Sequence, residues 1–466
     1  MNASFDVAVV GGGPSGAIAA LRMAQLGHRV CLVEKSRFPR RHLGESLTPG
    51  VLPMLASIGA AHGVTIGAAR VESVSVHWER EATQRRDPGA RGWLVDRGVF
   101  DAALLTHARA AGVVVCQPAA ARRASPHEDG WVLELDTLHG ATRIDARFLM
   151  DAGGRGSRIC VREFSGARVH TGPRTFAIHG YFRGKNLPTQ PSLEAIENAW
   201  CWGVPIPDGS YNALAFVDAD SLRDRSASTE TKLIALLRPS SIGSAIANAA
   251  LDGPARVVDA TASIHACPVG LNWLRVGDAA MTLDPLSSSG VQKAIQSALA
   301  GAIVANTLLR HPEDRALTIR FYEEHLSAAS SRHARWAAQH YSVAAERFSH
   351  KFWRDRSAAL DEVNEPIPPR EPVSASSELR VSAAATWRDV PCLGAERVEL
   401  RRAMDHPGFD GPAAFLGEVE LAPLFELVPP RFTLTEVAAR WTARIPASRA
   451  LAIAQRLWER GVFEPT

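Results

Sequence analysis

The chain has 466 residues, 46% of them hydrophobic and 22% charged, enough to bury a large core in two or three structural units. A formal charge of +3 makes no demand for a nucleic-acid partner, and five lysines leave 47 arginines among 52 basic residues, so an arginine outside a motif is weak evidence of function. The six cysteines, Cys31, Cys116, Cys160, Cys201, Cys267 and Cys392, form no CxxC pair, which argues against a metal site or a disulfide framework and for a reducing, cytoplasmic setting. No apolar run reaches the length that spans a bilayer, and no basic segment with a cleavage site precedes the first apolar stretch, so no membrane partner is expected.

In chain order, Phe5 to Val10 predicts a short buried strand that runs into Gly11-Gly12-Gly13-Pro14-Ser15-Gly16. A helix follows over Ala17 to Leu26, then a turn at Gly27 and a second strand from His28 to Val33, ending at Glu34. That is a βαβ start for a dinucleotide. Gly11 permits the tight turn, Gly13 lets the backbone approach a pyrophosphate, and Gly16 lets helix and strand pack closely, while the helix N-terminus at Ser15 faces the phosphates with its partial positive charge. Glu34 stands where a carboxylate accepts hydrogen bonds from both ribose hydroxyls and repels a 2′-phosphate, so FAD or NAD is favoured over NADP.

Further along, Val74, Val76 and Trp78 alternate with polar residues, as do Phe176, Ile178, Gly180 and Phe182, which predicts a half-exposed sheet inserted between returns of the chain to the nucleotide-binding unit. Those returns are Asp151-Ala152-Gly153-Gly154-Arg155 and Val276-Gly277-Asp278. Helix is expected from Ala300 to about Leu360, then an extended linker over Glu365 to Pro372. Beyond it Thr433-Leu434-Thr435-Glu436 is a capping box opening a helix with Val437 and Trp441 on one face; a second helix starts near Pro446, is striped by Leu451, Ala454 and Trp458, and closes at Gly461. The pair reads as a winged-helix-like or peptide-docking module, or as a plain packing appendage.

These motifs, together with Gly44-Glu45-Ser46-Leu47, Trp93 to Asp101, Trp200-Cys201-Trp202-Gly203-Val204-Pro205 and Asp284-Pro285-Leu286-Ser287-Ser288-Ser289-Gly290, resemble the flavin-dependent halogenase and monooxygenase group, over roughly the first 350 residues. The resemblance implies an α/β fold like that of para-hydroxybenzoate hydroxylase: a Rossmann-like FAD-binding domain (1–70, 92–165 and 261–350) interleaved with an antiparallel-sheet substrate domain (71–91 and 166–260). A helix end and linker (351–377) and a small helical C-terminal module (378–466) complete it. FAD is the implied cofactor. Arg97 and Asp151 are implied near its pyrophosphate, with Asp101 as a structural cap, and Gly277 and Asp278 on its ribityl chain. Pro285, Ser289 and Gly290 fall at the flavin's pyrimidine edge, where a helix beginning near Val291 aims backbone N–H groups. Trp200, Trp202 and Pro205 are implied in the substrate pocket, two core tryptophans being the plain alternative.

A halogenase also needs an active-site lysine, carried by that family between the positions of Glu45 and Trp93. The only lysines here are Lys35, Lys185, Lys232, Lys293 and Lys351; Val71 falls near the required position, and the guanidinium of neighbouring Arg70 is too weak an acid and nucleophile to replace it. Hydroxylation of an aromatic ring is the chemistry left, with His42 or Glu45 as candidate base. Within the group the likeness points to oxidation of a tryptophan in a protein or peptide precursor during quinone cofactor biogenesis, using O2 and either NAD(P)H or a separate flavin reductase. A flavin halogenase, a geranylgeranyl-reductase-like flavoprotein and a non-catalytic FAD-bound interaction protein are the alternatives.

Overall fold

The computed structural model describes residues 3–79, 83–85, 92–128, 130–157, 159, 166–223, 226–358, 370–371, 373–374 and 376–466. The chain divides into two compact units, Met1–Glu362 and Val363–Thr466.

A seven-stranded sheet founds the first unit, in the order Val114–Cys116, Val30–Val33, Ala3–Val10, Gly140–Asp151, Gly130–Thr137 and Ala119–His127, with Trp273–Arg275 added against Gly140–Asp151. Ala3–Val10, Val30–Val33, Val114–Cys116, Gly140–Asp151 and Trp273–Arg275 pair in parallel. Such strands are covered on both faces, and the all-buried run of Val30–Val33 is the sequence expression of that. In register, Val10 lies opposite both Asp151 and Val33, and Asp151 opposite Arg275. The carboxyl ends of these strands are therefore level, and the loops after them converge, which is where open α/β sheets hold ligands.

The second sheet has eight strands among the described residues and is antiparallel except where Ser192–Ile196 pairs in parallel with Val74–His77. Its strand Thr175–Arg183, one in from the edge, does not show the half-exposed face that alternation suggested. Ile178 and Phe182 pack under Leu233, Leu237, Ile242 and Ile246 of two short helices, Thr229–Leu237 and Ser241–Ile246. On the opposite face Ala177, Trp200, Leu214 and Phe216 pack against Tyr341, Phe352 and Trp353 from the helices Arg315–Ala345 and Lys351–Ser357.

In the second unit the capping box forms as predicted: Thr433 accepts from the Glu436 N–H and Glu436 accepts from the Thr433 N–H. The stripe of the following helix, Ala447–Glu459, needs correction. Ala450, Ile453, Ala454 and Leu457 are its buried face, Leu451 is exposed, and Trp458 is half-buried, donating to the Glu371 carbonyl. The module also carries strands, including a hairpin of Thr386–Leu393 with Val398–Asp405 and a pairing of Leu379–Val381 with Phe463–Pro465. Most of the predicted linker, including Pro366, Pro368, Pro369 and Pro372, lies outside the described residues.

Candidate functional site

Each glycine of the first turn meets a distinct neighbour. Gly11 has φ +106° and lies so close to the Ala152 carbonyl that a Cβ would stand 2.4 Å from its oxygen; a Cβ on Gly16 would stand 1.8 Å from the Gly11 oxygen. A Cβ on Gly13 would have room, the nearest group among the described residues being an Arg40 Nη at 3.9 Å. Gly13 begins the helix Pro14–Gln25 without a side-chain cap, so the first N–H groups of the helix are presented there. Glu34, buried at the end of the second strand, accepts from the backbone N–H of Gly12 (2.6 Å) and of Ser36 (2.7 Å).

Gly277 has φ +61° and packs against Ser15, where a Cβ would stand 2.4 Å from Oγ. The missing side chain lets the Val276–Asp278 turn close on the first helix. Asp278 keeps its side chain half exposed and pairs with Lys293 at 2.6 Å. Burial pushes its carboxyl up, but Lys293, Arg155 and His42 outweigh that and hold it below the usual range. Lys293, in the first turn of the helix Gly290–Arg310, also donates to the Met281 carbonyl; sequence reading gave it no role because nothing local links it to Asp278. That helix begins at Gly290 with no side-chain cap from Ser289, a Cβ on Gly290 would meet nothing within 4 Å, and Pro285 opens the short turn before it. Two uncapped helix starts and one half-exposed carboxylate thus converge on the edge of one sheet, a set that fits the phosphates, flavin edge and ribityl chain of FAD.

Two expected roles are corrected. Arg97 is no free arm: buried, it donates to both Asp101 oxygens (2.9 and 3.1 Å) and to the Leu43 carbonyl, holding the Gly44 loop in place. The arginine beside Gly13 is Arg40, which pairs with Asp101 at 3.5 Å. Nor is Asp101 a cap; Asp96 caps its helix by accepting from the N–H groups of Gly98 and Val99. Asp151 serves its own turn, accepting from the Gly153 N–H and the Ser157 hydroxyl.

Glu45 is buried, and its Oε1 accepts from Tyr181 (2.7 Å) and Asn212 (3.0 Å); desolvation raises its carboxyl despite these bonds. It shares a small cleft with His42, Arg97, Tyr181 and Asp208, where burial lowers the His42 imidazole. Trp200 lies in the core between the second sheet and its covering helices. It is 2% exposed, stacks on Phe216 at 3.7 Å between centroids and donates to the Tyr341 hydroxyl. Trp202 is half-buried beside Val71, Leu94, Val204 and Ile206, and Pro205 ends their strand, paired with Tyr211. Cys31 and Cys116, scattered in sequence, come within 3.7 Å Sγ to Sγ on adjacent strands. No helix among the described residues is long and apolar enough to cross a membrane.

Comparison with known proteins agrees with this geometry. A family model described as FAD dependent oxidoreductase matches residues 6–178. The tryptophan 2-halogenase of Chondromyces crocatus is 27% identical over 388 residues, spanning 77% of this chain and 72% of that protein. Among solved structures, the peptidyl tryptophan dihydroxylase QhpG, essential for tryptophylquinone cofactor biogenesis, is 26% identical with a TM-score of 0.73, covering 98% of this chain and 100% of QhpG. The flavin-dependent halogenase CmlS, at 22% identity, TM-score 0.80 and coverage of 99% and 96%, shares the fold. On its dinucleotide turn, its converging helix starts and these likenesses, the chain is an FAD-dependent oxidoreductase that is similar to flavin-dependent halogenases and to QhpG.

Proposed function

We propose that the protein is a monooxygenase that hydroxylates a tryptophan carried in a polypeptide precursor of a quinone cofactor. The observation that carries this reading is the environment of Val71. It packs against the apolar cluster of Leu94, Val204 and Ile206, as Tyr181 and Trp202 do, and the segment between Glu45 and Trp93 holds no lysine, while Arg70 beside it stacks over the Trp93 ring at 3.8 Å. Lys293 is no substitute, because Asp278 and the Met281 carbonyl already engage its amine. FAD, once reduced, supplies oxygen activation. The chain's part is to hold the cofactor through Gly11, Gly13, Ser15, Gly16, Glu34, Arg40, Asp278, Ser289 and Gly290, aim N–H groups at the electron-rich edge, and keep the surroundings dry. The polypeptide substrate is supported by the likeness to QhpG along nearly the whole chain, second unit included.

Halogenation is the second reading, favoured by the tryptophan 2-halogenase likeness. One experiment separates the two. Purified protein is incubated with FAD, a flavin reductase, NADH, labelled O2, chloride and bromide, and either tryptophan or a tryptophan-bearing precursor protein, and the products are weighed by mass spectrometry. Labelled oxygen in the precursor is the expected result; a halogenated product would overturn the proposal.

A further inference from the structure

The segment that leads into the helix Gly290–Arg310 is strained and needs holding. Ser288 has φ +51°, a left-handed conformation that a residue with a side chain keeps only where its surroundings fix it. Part of the fixing is local: Asp284 caps the short turn Pro285–Ser287 by accepting from the Leu286 N–H at 3.0 Å. The rest comes from the helix Arg315–Ala345. Its Tyr341 hydroxyl donates to the Asp284 carboxylate, 3.0 and 3.2 Å from the two oxygens. His333 Nε2 of the same helix lies 3.1 Å from the Asp284 carbonyl, which only accepts, so Nε2 carries the hydrogen. Leu286 packs in the same core as Tyr341, whereas a cavity of ≈ 50 Å³ lies between that helix face and Thr282, Leu283 and Asp284. At Asp284, hydrogen bonds therefore hold what packing leaves loose. Behind Tyr341 stands Trp200, whose Nε1–H donates to the Tyr341 oxygen at 3.1 Å. An indole N–H only donates, so the Tyr341 hydrogen is left for Asp284, and the run from Trp200 through Tyr341 to Asp284 has one direction. Burial pushes the Asp284 carboxyl up, and the Leu286 N–H and the Tyr341 hydroxyl are the first two groups that oppose it.

We propose that Tyr341 and Trp200 are positioning residues for the cofactor, acting through Asp284: they hold the segment from Pro285 to Ser289 so that the N–H groups opening the helix Gly290–Arg310 stand at the flavin's pyrimidine edge. The inference rests on the reading of that helix start as flavin-facing, and is independent of whether hydroxylation or halogenation follows. Reduced flavin carries negative charge at this edge, so donors fixed there favour the reduced form, and donors that wander favour it less. Removing the Tyr341 hydroxyl takes a hydrogen bond from a buried carboxylate and leaves the Trp200 N–H without its acceptor. The Asp284 carboxyl then takes up a proton more readily, its grip on the Leu286 N–H weakens, and the strained Ser288 relaxes. The first tryptophan of Trp200-Cys201-Trp202 thus acts on the flavin from the core, through two side chains.

The test compares full-length, FAD-loaded wild type with Tyr341→Phe, Trp200→Phe and a packing control, Phe182→Leu, whose ring lies under the two short helices on the other face of the sheet. Two quantities are read: the midpoint potential of the bound FAD, by dye-coupled reduction, and amide hydrogen exchange over residues 284–290. Tyr341→Phe is expected to keep its FAD and to shift the potential downward by about 30 mV, which for a two-electron couple is a tenfold loss of preference for the reduced form. Its Leu286 N–H should exchange about tenfold faster. Trp200→Phe should move both quantities the same way, and Phe182→Leu should melt earlier while moving neither. Unchanged potential and exchange in folded Tyr341→Phe, or equal shifts in Phe182→Leu, would overturn the proposal; should Tyr341→Phe not retain FAD, the same two readings in Trp200→Phe decide it. Gly290→Leu tests the premise separately, because a Cβ there meets nothing within 4 Å and the side chain would collide only with a cofactor. FAD bound by Gly290→Leu as tightly as by wild type would remove the flavin-facing reading, while the exchange comparison still decides whether Tyr341 holds the turn.

Discussion

Glu34 shows how one side chain joins fold and ligand. Its two carboxylate oxygens hold the Gly12 and Ser36 N–H groups, so the residue that meets a ribose also fixes the turn that meets a pyrophosphate. Glu34→Arg is expected to purify without FAD while its circular dichroism stays native, read from the flavin absorbance of the purified protein; a fully yellow variant would remove the βαβ assignment. Trp200→Ala should behave as a core deletion, costing roughly 3–5 kcal/mol in urea denaturation, since the indole stacks on Phe216 and donates to Tyr341. His179, buried with its Nδ1 unpartnered, is lowered to about 4 by desolvation first and by the Arg256 charge second. The unfolded chain therefore holds the extra proton from its ordinary value of 6.5 down to about 4, and stability falls as pH drops through that window. Urea midpoints at pH 7 and pH 5 should differ more in wild type than in His179→Asn. Glu34's place at the ribose was legible in the sequence, whereas the roles of Trp200 and His179 were not, because each depends on neighbours brought in by the fold.

At the scale of elements, the sequence was most legible where a local rule and the tertiary structure ask for the same thing. Pro14 through Gln25 is a helix because proline opens it, small residues let it lie against the sheet, and Gly27, at φ +84°, ends it. The capping box at Thr433 is equally local, and Thr433→Ala should lower the stability of the second unit by about 1 kcal/mol in thermal or chemical melts. Alternation misled where both faces of a strand are covered. Thr175–Arg183 looked half-exposed because His179 and Tyr181 are polar, yet they are buried or half-buried among Asn212, Glu45 and each other. The stripe of Ala447–Glu459 was misread for a related reason: Leu451 is the larger apolar residue, but Ala450 and Ile453 face the core.

For the molecule as a whole, the division at Glu362 separates the unit that holds every candidate FAD residue from the unit that holds the capped helices. A chain ending at residue 362 should retain FAD and be reducible, while needing a higher concentration of precursor protein for half-maximal turnover than full-length protein. Spectral titration and steady-state oxygen consumption provide the two readouts. If the shortened chain folds, binds FAD and shows unchanged precursor dependence, the second unit takes no part in substrate binding.

The sequence by itself determined the dinucleotide turn, its acidic partner, the preference for FAD or NAD over NADP and the missing lysine, because these depend on residue identity at short spacing or on simple absence. Only the tertiary structure decided which arginine stands beside Gly13, that Arg97 is tied to Asp101 and Leu43, that Lys293 meets Asp278, and that Trp200 is interior. The physical reason is that hydrogen bonds and ion pairs join whichever groups the sheet register brings level. Val10, Val33, Asp151 and Arg275 end side by side although up to 265 positions separate them in the chain, and no pattern within any one segment encodes that meeting.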